Sequence, residues 1–155
     1  MSLRPFDVAD AATVAGWAET AEEAAMWCGH SGWPVPADKV AAWSTEDDVH
    51  PFGFYANDAL IGYGELWVDH DESEVELARL IIDPRHRGRG AARELVAELV
   101  AWAEYPDIFL RVHPDNAVAL RCYTGAGFIR VDAVREAEWN APQPVAYVWL
   151  TRPSG

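Results

Sequence analysis

The sequence predicts one α/β domain built on a sheet of mixed strand direction. Three observations carry that reading. The apolar patterning runs helices first, then an antiparallel hairpin, then strand, helix, strand, helix, strand, strand, which combines hairpin with crossover connections. The 155 residues suit a single domain, 1–155, and no Pro/Gly/Ser linker divides them. Half of the residues are apolar, and eight Trp, five Tyr and five Phe demand burial, which excludes disorder.

Ser2 to Phe6 reads as a short strand. Asp7 can cap a helix running through Trp17, with Asp10 placed as in a capping box. A second helix spans Ala21 to Cys28 and stops at Gly29. A third runs from Pro36 to about Trp43, with proline well placed at its start. Pro51 to Tyr55 and Leu60 to Val68 are extended, and Asn57-Asp58 between them makes a hairpin turn. Glu74 to Ile82 follows a polar turn as the fourth strand. Ala91 to Ala103 has helical spacing, with Ala92, Leu95, Val96, Leu99, Val100 and Ala103 on one face. Ile108 to Val112 is a buried-type fifth strand, and Asp115 to Thr124 is a short helix stopped by Gly125 and Gly127. Phe128 to Val134 and Val145 to Thr151 complete the strands.

Twelve basic against 25 acidic residues give a net charge of −13, a surface that repels nucleic acid and anionic membranes. No apolar run is long enough to span a bilayer, and Met1 to Asp10 lacks the pattern of a signal peptide. Cys28 and Cys122 make no disulfide framework, so a cytoplasmic setting is expected. One window breaks the acidic pattern. Arg79, Arg85, Arg87, Arg89 and Arg93 stand against Asp83 alone, five charges less one, or +4. A positive island in an acidic chain implies a bound anion.

The segment from Leu80 to Ala92 passes from a strand, through a turn with Gly88 and Gly90, into a helix. Glycines let backbone N–H groups approach a ligand, and the helix start adds unpaired donors and partial positive charge. Together they make a phosphate cradle. No Gly-Lys-Ser/Thr of a Walker loop is present. A dinucleotide fingerprint fails too, because Arg93 replaces its third glycine and Leu110 its acidic residue.

Arg85-x-x-Gly88-x-Gly90 after a strand written Leu-x-Ile-x-Pro resembles the coenzyme A signature of the GNAT superfamily of N-acetyltransferases. Asn116-x-x-Ala119-x-x-x-Tyr123-x-x-x-Gly127-Phe128 resembles the same superfamily's C-terminal signature. The likeness covers an acetyl-CoA-binding core, 74–130, while 1–50 matches only loosely, as variable acceptor-side helices. It implies a mixed, mostly antiparallel sheet of six to seven strands, splayed between the fourth and fifth and flanked by about four helices. It also implies direct acetyl transfer from acetyl-CoA to an amine of a small molecule or peptide, in a ternary complex and without a metal. Homodimers are common among the superfamily's members.

Carried over residue by residue, the resemblance places the pantetheine arm on the backbone of Leu80 and Ile82. The diphosphate falls on the N–H groups of Arg87, Gly88, Arg89, Gly90 and Ala91, beside Ala92, with Arg85 and Arg89 reaching its oxygens. Asn116 would meet the pantetheine or cap its own helix. Tyr123 is the expected general acid, because a phenol stays protonated at neutral pH and can protonate a leaving thiolate. Glu76 is the first candidate base and Glu74 the second, both placed by period-2 alternation on one face with Ala78, Leu80 and Ile82. His113, after the fifth strand, is a weaker acid/base candidate, and Cys28-x-His30 has too few partners for a metal. The acidic remainder points to a cationic acceptor. A regulatory module that binds acyl-CoA without turnover, or transfer of another acyl group, fits the same motifs.

Overall fold

The computed structural model describes residues 1–153. Seven strands form one sheet: β1 (Ser2–Pro5), β2 (Val49–Ala56), β3 (Ala59–Asp69), β4 (Glu74–Ile82), β5 (Asp107–Val112), β6 (Ile129–Arg130) and β7 (Val148–Thr151). Their order is β1-β2-β3-β4-β5-β7-β6. Six α-helices flank it: α1 (Ala11–Ala15), α2 (Ala21–Cys28), α3 (Ala37–Trp43), α4 (Ala91–Trp102), α5 (Ala117–Gly125) and α6 (Ala133–Asn140). None of the helices is long and apolar enough to cross a membrane.

Every strand pair is antiparallel except β4 with β5. That parallel ladder holds only Glu74 to Asp107, Val75 to Ile108 and Glu76 to Phe109. Beyond Glu76 the two strands separate, so the far half of β4 has no neighbour on that side. This is the splay that the family resemblance implies.

Two apolar clusters cover the sheet. On one face α4 buries Leu95, Val96 and Leu99 against Phe54, Leu66, Leu77, Leu110 and Leu150. Fully burying Leu95 or Leu99 contributes roughly 1.5–3 kcal/mol each. On the other face Val14, Trp17, Val40 and Trp43 pack against Tyr63 and Ile81.

Local chemistry corrects three sequence expectations. The helix expected from Asp7 through Trp17 is a 3-10 turn, Val8–Asp10, followed by the five-residue α1. Asp7 does cap it, accepting from the Ala9 N–H at 2.9 Å, but the Asp10 side chain caps nothing. The strand expected over Phe128 to Val134 shrinks to β6, because Asp132 accepts from the Arg135 N–H at 2.9 Å and starts α6. The β-branched pair Val131 and Val134 suggests a strand, yet Val134 is exposed on that helix.

The third correction bears on the site. Arg79 adopts φ +51°, and the β3–β4 register shifts there, from Glu65–Ala78 to Tyr63–Ile81. Arg79 and Leu80 thus lie across from Gly64 alone, as a β-bulge. A Cβ on Gly64 would meet the Leu99 side chain at 2.9 Å, so glycine permits the close approach of α4. The bulge resets the alternation. Val75, Leu77, Leu80 and Ile82 all pack towards α4, while Ile81 enters the opposite cluster. Glu74 and Glu76 therefore do not share a face with Leu80 and Ile82.

Candidate active site

A cleft of about 1030 Å³ opens where β4 and β5 part, walled by α2, α4 and α5. At one end stands the glycine turn. Gly88 and Gly90 have φ of +76° and +80°, where a side chain is strained, and a Cβ on either would meet no protein atom within 4 Å. Gly90 precedes α4 directly, and no side chain caps that helix. Its first N–H groups consequently face the cleft as unpaired donors. The turn is anchored from behind. Buried Asp83 accepts from the Arg85 N–H at 3.0 Å and from the Arg85 guanidinium at 2.8 Å. Those bonds, the guanidinium's above all, hold its carboxyl below the usual range. Arg87 donates to the Ile82 carbonyl at 2.9 Å and the Trp17 carbonyl at 3.1 Å, and pairs with Glu23 at 2.6 Å.

The opposite end is aromatic and charged. Glu76 is buried, and Arg111 grips both its oxygens, at 2.7 and 2.9 Å. Burial pushes the Glu76 carboxyl up, and the Arg111 hydrogen bonds oppose that. The Arg111 guanidinium also lies 4.6 Å from the Trp149 ring, 5.4 Å from Tyr147 and 5.7 Å from Trp67, and donates to Gln143. Under the bulge is a second buried ion pair. Glu65 is fully buried and accepts from Tyr63, from the Trp67 indole at 2.7 Å and from Arg79 at 3.0 Å. Arg79 sits between the Trp43 and Trp67 rings, 4.2 and 4.9 Å from their centroids.

Most residues expected from the sequence meet in this cleft. Leu80, Ile82, Arg87, Gly88, Gly90, Ala91 and Ala92 line it towards the glycine turn, and Asn116, Tyr123, Glu76 and His113 line the rest. Asn116 caps α5, accepting from the Ala119 N–H at 3.1 Å. The Tyr123 ring packs on the main core, and burial pushes its phenol up, so it stays protonated. Arg85, Arg89 and Glu74 stand apart. Arg85 turns back to Asp83, and neither it nor Arg89 lines the cleft. Glu74 lies at the β3–β4 turn, opposite Asp69 and Asp107. Arg111, Tyr147 and the Glu65–Arg79 pair are not among the site residues expected from the sequence. The available signal was a charge inside an apolar strand, Arg111 in Ile108–Val112 and Glu65 in Leu60–Val68.

The profile of the acetyltransferase (GNAT) family matches residues 17–128. The chain belongs to this family. Over 135 residues it is 32% identical to the N-alpha-acetyltransferase RimI of Mycobacterium tuberculosis, covering 86% of this chain and 83% of that protein. It is 35% identical over 112 residues to an uncharacterized protein, ML0378, of Mycobacterium leprae, covering 70% of this chain but spanning only 30% of that protein. Among solved structures, the aminoglycoside acetyltransferase AAC(6')-Ib in complex with ribostamycin and coenzyme A superposes with a TM-score of 0.78 at 21% identity, over 97% of this chain and 92% of that one. Spermidine N-acetyltransferase from Vibrio cholerae in complex with CoA and spermine gives 0.70 at 18%, over the same shares. These two share the GNAT fold with this chain.

Proposed function

We propose that this chain is an N-acetyltransferase that carries an acetyl group from acetyl-CoA to an amine, by direct attack in a ternary complex. One observation carries the reading: the cleft runs from the unpaired edge of β4 onto the uncapped glycine turn at the start of α4. The residues fit such a donor. An extended amide arm finds free backbone groups beyond Glu76, and a diphosphate finds N–H donors with no side chain in the way. Bound there, acetyl-CoA supplies the acetyl group as a thioester.

The remaining chemistry falls to side chains. As the amine nitrogen bonds the acetyl carbon and the carbon–sulfur bond breaks, Tyr123 gives its proton to the departing thiolate. Glu76 takes the proton the amine loses, directly or through water. Burial raises its pKa above the ordinary carboxylate range, and Arg111 opposes that and keeps the group in place. A free backbone N–H of β4 polarises the thioester carbonyl.

The acceptor is a cationic amine, and a peptide α-amine is the first choice. Of the cleft's acids, Glu23 and Glu76 pair with Arg87 and Arg111 while Glu22 has no basic partner among the described residues, and the relative named an N-alpha-acetyltransferase matches most of the chain. The test is release of free thiol from acetyl-CoA with a panel of peptides, polyamines and aminoglycosides. Turnover with at least one cationic amine is expected. Stabilisation by acetyl-CoA with no release for any amine would make the protein a binder without turnover.

A further inference from the structure

Helix α2 grips the chain around β4 at two points. Glu23 and Trp27 stand one turn apart on the helix, and so on one face. Glu23 pairs with Arg87 of the glycine turn, while the Trp27 indole N–H donates to the Arg79 carbonyl at 2.8 Å. Arg79 opens the bulge of β4, with the left-handed φ of +51°. That conformation is strained for a residue other than glycine and persists only where its surroundings over-determine it. Glu65, Trp43 and Trp67 hold the Arg79 side chain. Trp27 holds its backbone. Past Glu76 no residue of β5 pairs with β4, so on that side the sheet itself supplies no partner. The Trp27 ring is fixed in turn, packed edge-on against Trp43 with centroids 5.3 Å apart, and it lines the cleft together with Leu80.

We infer that Trp27 is a positioning residue for acetyl transfer: its indole N–H locks the peptide plane at the bulge, and with it the aim of the β4 backbone at the thioester carbonyl of the donor. This rests on the cleft being the acetyl-CoA site. The Arg79 carbonyl and the Leu80 N–H belong to one rigid plane, so fixing the first fixes the second. The extra residue also resets the alternation of β4, and so decides which backbone groups between Ala78 and Ile82 face the seam. A backbone donor stabilises the transition state only when aimed in advance at the oxygen where charge develops. Trp27 touches none of the reacting atoms in this scheme and acts through Arg79.

Difference infrared spectra of bound acetyl-CoA, isotope-labelled at the thioester carbonyl, test this on the full chain without an acceptor. In Trp27→Phe the carbonyl stretch should move to higher wavenumber than in wild type, because polarisation weakens, while calorimetric affinity for acetyl-CoA stays the same. With an amine that wild type accepts, kcat should fall roughly tenfold or more at unchanged KM for acetyl-CoA, short of the 10²–10³-fold that losing an oxyanion donor outright costs. Trp33→Phe is the matched control. It removes an indole bond of the same kind, to the Ala18 carbonyl at 2.7 Å, on a residue outside the cleft, and should leave the stretch and kcat as they are. If Trp27→Phe fails to fold, benzothienylalanine at this position keeps the ring, replaces the N–H by sulfur, and carries the same expectations. A stretch that stays at the wild-type position without the Trp27 N–H, or one that Trp33→Phe moves equally, overturns the role of Trp27 and leaves the donor reading intact. Failure of wild type to bind acetyl-CoA overturns both.

Discussion

Replacing Arg79 with methionine should expose how firmly the bulge in β4 is held. Methionine keeps an apolar stem between Trp43 and Trp67 but removes the cation that faces Glu65. Glu65 has no exposure to water, and its other donors, the Tyr63 hydroxyl and the Trp67 indole, are neutral. Breaking a buried ion pair by removing one partner costs about 3–5 kcal/mol. For a domain of this size each kcal/mol moves Tm by about 2–4 °C, so the drop should lie at roughly 6–20 °C. The loss should also depend on pH. Burial already holds the Glu65 carboxyl above the ordinary range, and Arg79 is the main influence drawing it down. Without Arg79 the folded variant keeps a proton that the unfolded chain releases. Its stability therefore falls as pH rises, and the gap to wild type should narrow from about pH 8 to about pH 5. Adding Glu65→Gln to the variant should recover part of the loss. Urea titration of the three proteins at both pH values is the assay. A loss under about 1 kcal/mol, or one that ignores pH, would refute the claim that Glu65 is an ionised group depending on Arg79.

Three further variants address the cleft. Gly88→Asp strains a left-handed φ by about 1–2 kcal/mol and puts a negative charge where the diphosphate should lie, so stabilisation by acetyl-CoA in thermal shift should vanish while the protein still folds. Tyr123→Phe should lower kcat on the order of 10²-fold or more and leave acetyl-CoA affinity unchanged; full activity would remove its acid role. Because burial holds the phenol protonated, Tyr123 should add no limb to the pH–rate profile below its ordinary range, near pH 10. Glu76→Gln should lower kcat/KM and abolish the acidic limb, which in wild type should lie above the usual carboxylate range because burial raises this group.

The parts of the fold written in local signals were legible. The glycine turn, the amphipathic α4 and the Asn116-capped α5 stand where their local signals put them, because turn and helix-start chemistry is local. The far end of the cleft was harder. Strict alternation along Glu74–Ile82 puts Glu76 on the face of Leu80, and only the pairing with β3 shows the extra residue that undoes this. Arg111 reads as a charge in a buried strand until Glu76, 35 residues away, is seen to meet it. Helix α6 hid behind β-branched residues, and the Asp132 cap that starts it was the one available cue.

Arg87 joins three pieces of chain: the end of β4, Trp17 two residues after α1, and the first turn of α2. The glycine turn and the start of α2 consequently form one mechanical unit, riveted by a single guanidinium. Any remodelling of the N-terminal helices must leave that rivet in place or find another. The freedom to vary therefore belongs to the solvent-facing positions of α2 and the segment that follows it, and not to the turn that carries Glu23.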